Sequence, residues 1–212
     1  MAFNADIVWG CAVAADRING GYVKEQEWDY EQTPAVVKRD ANKMMVKKWL
    51  READYSQVTE QDIEQGKTVR SYFNGFLLKE LAGKINDFER QALKIAQMDE
   101  FTNRAMLEFA IVSCLPQTMR RDQARNDVAR EIRQSTQLSG AVGDTVQGEI
   151  EVIKCFYSQN YNKYRITAKL VDSFVDFWYN KNLDVGERMR IKGKIKAQRD
   201  DNVTQLNYVK RG

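Results

Sequence analysis

Leu183-Asp184-Val185-Gly186-Glu187-Arg188-Met189-Arg190-Ile191-Lys192-Gly193-Lys194-Ile195-Lys196-Ala197 is the stretch whose reading decides the fold. From Arg188 onward a cation alternates strictly with Met189, Ile191, Gly193, Ile195 and Ala197. A period of two sends the two sets to opposite faces of a strand, one toward a core and one toward water or an anion. A helix would scatter the five cations around its circumference, and Gly193 in mid-run suits a sharply bent barrel strand.

Around it, turn signals space out five strand candidates at 145–156, 163–172, 174–179, 188–197 and 203–209. Five short strands within about 70 residues fit a small closed barrel. Before them the periodicity is helical. Thr33-Pro34 reads as a cap and first turn, opening a helix through Val36, Val37, Met44, Val46, Trp49 and Leu50. Its other side carries Lys38, Arg39, Lys43, Lys47 and Lys48, a face that is ordinarily just solvated. Thr59 with Asp62 has capping-box spacing and opens a second helix ending near Gly83. Asn86-Asp87 caps a third, and a fourth, from about Thr102 to Pro116, is apolar on most sides and is expected at the centre of the helical part. Residues 117–137 read as an exposed, arginine-rich helix, either an arm along nucleic acid or a salt-bridged connector, and 138–143 as a linker. Residues 6–16 fit a short strand or a buried helix equally, and Ile18-Asn19-Gly20-Gly21-Tyr22 is a turn.

The run Phe177-Trp178-Tyr179-Asn180, the spaced set Leu183, Gly186, Met189, Ile191, Gly193 and Ile195, and the closing Thr204-Gln205-Leu206-Asn207 resemble strands three to five of an OB-fold. The likeness is to single-stranded-nucleic-acid-binding proteins and to the wedge domains of recombination helicases. It covers only the last third of the chain. The expected class is thus α+β in two parts, a mostly α-helical N-terminal domain over 1–139 and a five-stranded OB-fold β-barrel over 140–212.

The resemblance implies a binding surface on the outer face of strands two and three, flanked by the one-two and four-five loops. Alternation places Lys163, Arg165 and Lys169 on that face of strand two, and Trp178 on that face of strand three. An exposed indole beside cations suits a base and its phosphates. In the one-two loop, Tyr157 and Tyr161 either stack on bases or fold under the barrel, and Phe156 is assigned to the core. Arg199 in the four-five loop is placed to touch a backbone. Lys192, Lys194 and Lys196 rank lower, and Arg190 lies in the same row, because strand four pairs with strand one, whose Glu149 and Glu151 can neutralise part of the row, and because this face lies off the surface the resemblance implies.

Charge and composition narrow the function classes. The formal charge is +3, and after Ser139 the chain holds 13 Lys+Arg against 9 Asp+Glu, so the excess belongs to the barrel part. This permits a nucleic-acid partner. With no histidine the usual general base and commonest zinc ligand are missing, and enzyme activity, a metal and a cofactor are not expected. Gln65-Gly66-Lys67-Thr68 lacks the first glycine and the strand-loop-helix setting of a phosphate-binding loop. Cys11, Cys114 and Cys155 draw neither a disulfide framework nor a zinc pair, and no stretch reads as a membrane span, so a cytoplasmic setting is expected.

The expected function is single-stranded DNA binding in replication, recombination or repair, by sequestering or presenting the strand. The alternatives are a non-catalytic interaction or loader module, docking through its helical domain onto a helicase, polymerase or nuclease complex, and an RNA-binding OB protein.

Overall fold

The computed structural model describes residues 2–31, 33–104 and 106–212. By compactness the chain divides into two units, residues 1–123 and 124–212.

The first unit opens with β1 (Ala2–Asn4) and α1 (Ala5–Asn19). The Asn4 side chain accepts from the Asp6 amide at 2.8 Å, and Gly20, in the left-handed region, ends the helix. Val8, Trp9, Cys11, Ala12, Ala14 and Ala15 are all buried, so α1 is apolar around its circumference and lies at the centre of the unit. Burial pushes the Cys11 thiol up to about 12. The stretch left open between strand and helix is therefore the central helix. The expected centre, α6 (Met106–Val112), buries Phe109, Ile111 and Val112 but leaves Met106 and Leu107 exposed.

Next come β2 (Glu27–Asp29), β3 (Val36–Arg39) and α2 (Asn42–Glu52). The helix expected from Thr33 thus begins at Asn42, and its first part is a strand, with Val36 opposite Asp29 and Val37 opposite Trp28. Adjacent β-branched residues favour extended pairing over a helical turn. Asn42 also anchors the start of α2: its buried Oδ1 accepts from the Val23 amide at 2.9 Å and from Asn19 Nδ2 at 2.8 Å.

Both capping boxes form. Thr59 and Asp62 close the start of α3 (Glu60–Asn74), and Asn86 with Glu89 closes the start of α5 (Asp87–Ala96). Between them the helix expected to run on to Gly83 breaks at Gly75, giving a short α4 (Leu77–Leu81). Then β4 (Glu100–Thr102) pairs with β1, placing Phe3 opposite Phe101. This strand and the turn at 103–104 replace the first residues of the fourth expected helix. Pro116 does not end a helix but lies in the first turn of α7 (Leu115–Gln134), where its missing N–H costs nothing.

Asp62 adds a pH-sensitive lock. It accepts from the Thr59 amide at 2.9 Å and from Arg17 Nε and Nη2 at 2.9 and 2.8 Å. Burial raises its carboxyl, but Arg17 and Thr59 outweigh that, and the net shift is downward. A carboxyl depressed below its unfolded value of about 3.9 stabilises fully above that value, and the contribution is lost as pH falls through the folded pKa. Thermal melts stepped downward from about pH 5 are expected to show Asp62→Asn losing less stability on acidification than the parent, while starting lower at neutral pH.

The second unit holds the C-terminal half of α7 and five strands: β5 (Thr145–Ser158), β6 (Lys163–Leu170), β7 (Ser173–Tyr179), β8 (Arg188–Gln198) and β9 (Val203–Arg211). They close a barrel in the order β5-β6-β7-β9-β8, with β8 returning to β5 and only β7-β9 parallel. Ile150, Val152, Ile166, Phe177, Ile191, Ile195 and Leu206 fill it. The alternation along β8 is as read, cations exposed and Met189, Ile191, Gly193 and Ile195 buried.

Candidate nucleic-acid interface

A bulge in β5 decides which aromatics face outward. Between Val152 and Lys154 the register against β6 shifts, Val152 standing opposite Ala168 and Lys154 opposite Thr167. The extra residue, Ile153, reverses the inside-outside phase downstream. Phe156, expected in the core, is therefore 59% exposed. It stands opposite Arg165, which stands opposite Trp178, so Phe156, Arg165 and Trp178 form one row across three strands. The sequence signal was the adjacent apolar pair Val152-Ile153, which breaks the alternation.

The same phase change turns Tyr157 away from that face. Its ring lies 5.1 Å from Tyr164, and its hydroxyl donates to Asn162 Oδ1 at 2.6 Å. Tyr161, at the loop tip, stays 66% exposed with its ring centroid 4.8 Å from that of Trp178. Tyr157, near the end of β5, thus rests against Tyr164 while still 43% exposed, and Tyr161 joins the indole.

Three cations of the outer face are held by carboxylates. Arg165 donates from Nε to Asp176 Oδ1 and Oδ2 at 3.1 and 3.0 Å, and Arg199 Nη1 reaches the same carboxylate at 3.1 Å. Arg199 also bonds Asp201 at 2.6 Å. The Asp176 side chain is only 4% exposed. Its hydrogen bond moves the Arg165 guanidinium above its usual range. Lys169 pairs with Glu131 of α7, which raises its ammonium likewise. Arg165, Lys169 and Arg199, expected as phosphate contacts, are thus each engaged by a carboxylate within the barrel unit while remaining part exposed. Ala124, Val128, Ala129 and Ile132 of α7 face Ile153, Thr167 and Val203 across a cleft of about 450 Å³. Gln137 donates to the Arg199 carbonyl, and Asn202 Nδ2 to that of Arg133 at 3.1 Å. Helix packing removes this part of the face, and no local pattern in the strands could announce it.

What stays open is a groove of about 640 Å³. The parallel pairing of β7 with β9 ends at Asp176 opposite Gln205, and beyond it the two strands part. The gap is lined by Tyr161, Lys163, Trp178, Lys196, Asn207 and Tyr208, among others. Tyr208 was not foreseen. Between Lys192-Lys210 and Lys194-Asn207 one residue of β8 faces two of β9, a bulge in which Tyr208 takes a left-handed φ of 53° and stands 78% exposed. With Tyr179 the lining therefore holds four rings and two lysines, and neither Lys163 nor Lys196 makes an ion pair among the described residues.

On β8, Arg188 pairs with Glu151 at 2.7 Å, as the cross-strand reading expects. Arg190 stands opposite Glu149, and Arg190, Lys192 and Lys194 are exposed without an ion pair among the described residues.

No protein-family model and no curated protein matches the chain. No helix among the described residues is long and apolar enough to cross a membrane.

Proposed function

We propose that the C-terminal unit is an OB-fold module that binds single-stranded nucleic acid, DNA in preference to RNA, without chemistry on the strand, in replication, recombination or repair. The observation that carries this reading is the groove in which Tyr161, Trp178 and Tyr208 stand beside Lys163 and Lys196. Each base offers a π-face that an aromatic side chain can stack on whatever the sequence, and lysines satisfy phosphates as point charges. The strand order, first-second-third-fifth-fourth with the fourth closing on the first, agrees with the OB reading.

Titration by fluorescence anisotropy against labelled oligo-dT, the matching RNA and a duplex, at low and near-physiological salt, tests it. Tight, salt-sensitive binding to oligo-dT with weaker duplex binding is the expected result. Trp178→Ala should cost about 1–3 kcal/mol of that binding, roughly fivefold to 150-fold, with the melting curve retained. Equal affinity in the folded variant would remove Trp178 from the site, and no binding to any of the three probes would remove the function.

A second reading, docking on a protein partner, is favoured by one feature of the helical unit. The short α4 buries none of its residues, and Leu77, Leu78, Leu81 and nearby Phe88 are exposed. Such clustered apolar surface suits a protein contact. The two readings are compatible, one for each unit.

A further inference from the structure

The groove opens at Lys196 onto the outer face of β8 and β9, where the charge arrangement changes along the strand. Arg188 and Arg190 stand opposite Glu151 and Glu149 of β5. Lys192 and Lys194 stand opposite Gln147 and Thr145 on that side, and opposite Lys210 and Asn207 on the β9 side. Toward the groove, therefore, the carboxylates stop and the cations continue. Lys192, Lys194, Lys196 and Lys210 are all exposed, and none has an ion pair among the described residues.

Placing Lys192 directly across from Lys210 works against folding, because like charges at opposed positions of an antiparallel pair repel. Lysines are often placed on a strand to blunt an unpaired edge, but β8 is hydrogen-bonded on both sides and has no edge to protect. An anionic polymer lying on the face would relieve the repulsion. Successive outward side chains of a strand are roughly 7 Å apart, which lets a row of them meet successive charges of an extended chain.

We propose that Lys192, Lys194, Lys196 and Lys210 form a phosphate track that continues the strand's path out of the aromatic groove and across β8 and β9. Bases stack in the groove, and the backbone beyond them is held by charge alone. This rests on the single-strand reading above and adds the route and the footprint: a short oligonucleotide fills the groove only, and a long one reaches the track. The ligand is the sugar-phosphate backbone of single-stranded nucleic acid.

The test is the triple variant Lys192→Gln, Lys194→Gln and Lys210→Gln. It keeps the inner half of each aliphatic stem and removes the like-charge contact, so its melting temperature should equal or exceed the parent's. Both proteins are titrated with oligo-dT of about 6 and about 30 nucleotides, lengths chosen to lie within and beyond the footprint of one barrel. The expected result is unchanged affinity for the short probe and at least about tenfold weaker binding of the long one at low salt. The slope of log K against log salt for the long probe should shrink by about 2, as three lost single-strand phosphate contacts require. If the variant binds the long probe with the parent's affinity and slope while the short probe still binds, the track is wrong and the groove stands. Equal weakening for both probes also overturns it, because the lysines would then act as part of the groove or as a general field. If the parent binds neither probe, the single-strand reading falls and the track with it.

Discussion

Replacing Arg165 and Arg199 together by alanine is expected to lower the stability of the barrel unit by about 3 kcal/mol, the lower end of the range for stranding a buried charge. Asp176 is the reason. Its carboxylate is almost wholly buried, and these two guanidiniums are its ion-pair partners. The arginines are themselves part exposed, which tempers the cost, since water screens what they contribute. Adding Asp176→Ala to the double variant should recover much of the loss, because the stranded charge goes with it. Denaturant melts of the parent, the double and the triple variant check this. A double variant as stable as the parent would return both arginines to the pool of free phosphate ligands. For the same reason a weakened DNA affinity in Arg165→Ala says nothing about contact until folding has been measured.

Gly66→Ala should disrupt the helical unit by a different route. A Cβ at Gly66 would lie 2.8 Å from both the Gly10 amide nitrogen and the Trp9 carbonyl carbon, backbone atoms of α1 that cannot rotate away. Alanine would gain about 1 kcal/mol of helix propensity over glycine. Forcing α1 and α3 apart undoes close packing along the central helix, at about 1–3 kcal/mol or more. Because both close contacts are to backbone, the cost is taken at the upper end of that range and the net expectation is a loss of about 2 kcal/mol, whereas exposed Gln65→Ala next to it should stay within about 0.5 kcal/mol of the parent. Thermal or denaturant unfolding of the pair decides it, and a stabilised Gly66→Ala would show that the helices are free to separate. The Gln65-Gly66-Lys67-Thr68 stretch thus owes its glycine to helix contact.

The barrel was legible in the sequence because β8 alternates without a break and because strands of a closed barrel each present one apolar face. Capping boxes at Thr59 and Asn86 were legible for the same reason: their hydrogen bonds involve only residues a few positions apart. The N-terminal region was not. Central α1 is apolar on every side and shows no period to separate it from a strand, and β3 takes its conformation from pairing with β2. At the site, Trp178, Tyr161 and Lys163 could be placed from alternation and loop position. Phe156 and Tyr208 could not, since each owes its orientation to a bulge. The ion pairs of Arg165, Lys169 and Arg199 were not legible, because their partners, Asp176 across the sheet and Glu131 on α7, are chosen by tertiary packing.

The closure of the barrel also sets a timetable. While the chain is being synthesised, β5, β6 and β7 can zip as neighbouring hairpins as soon as they emerge. The far side of β5 then waits for β8, and β7 and β8 wait for β9 to come between them. Such contacts between distant parts of a chain form late and slowly. Until then β5 and β7 each offer a bare edge, the kind of surface that captures other strands. β8 seals the first of those edges and β9 the second, so the interval in which the half-built barrel can capture another strand closes only when β9 is in place.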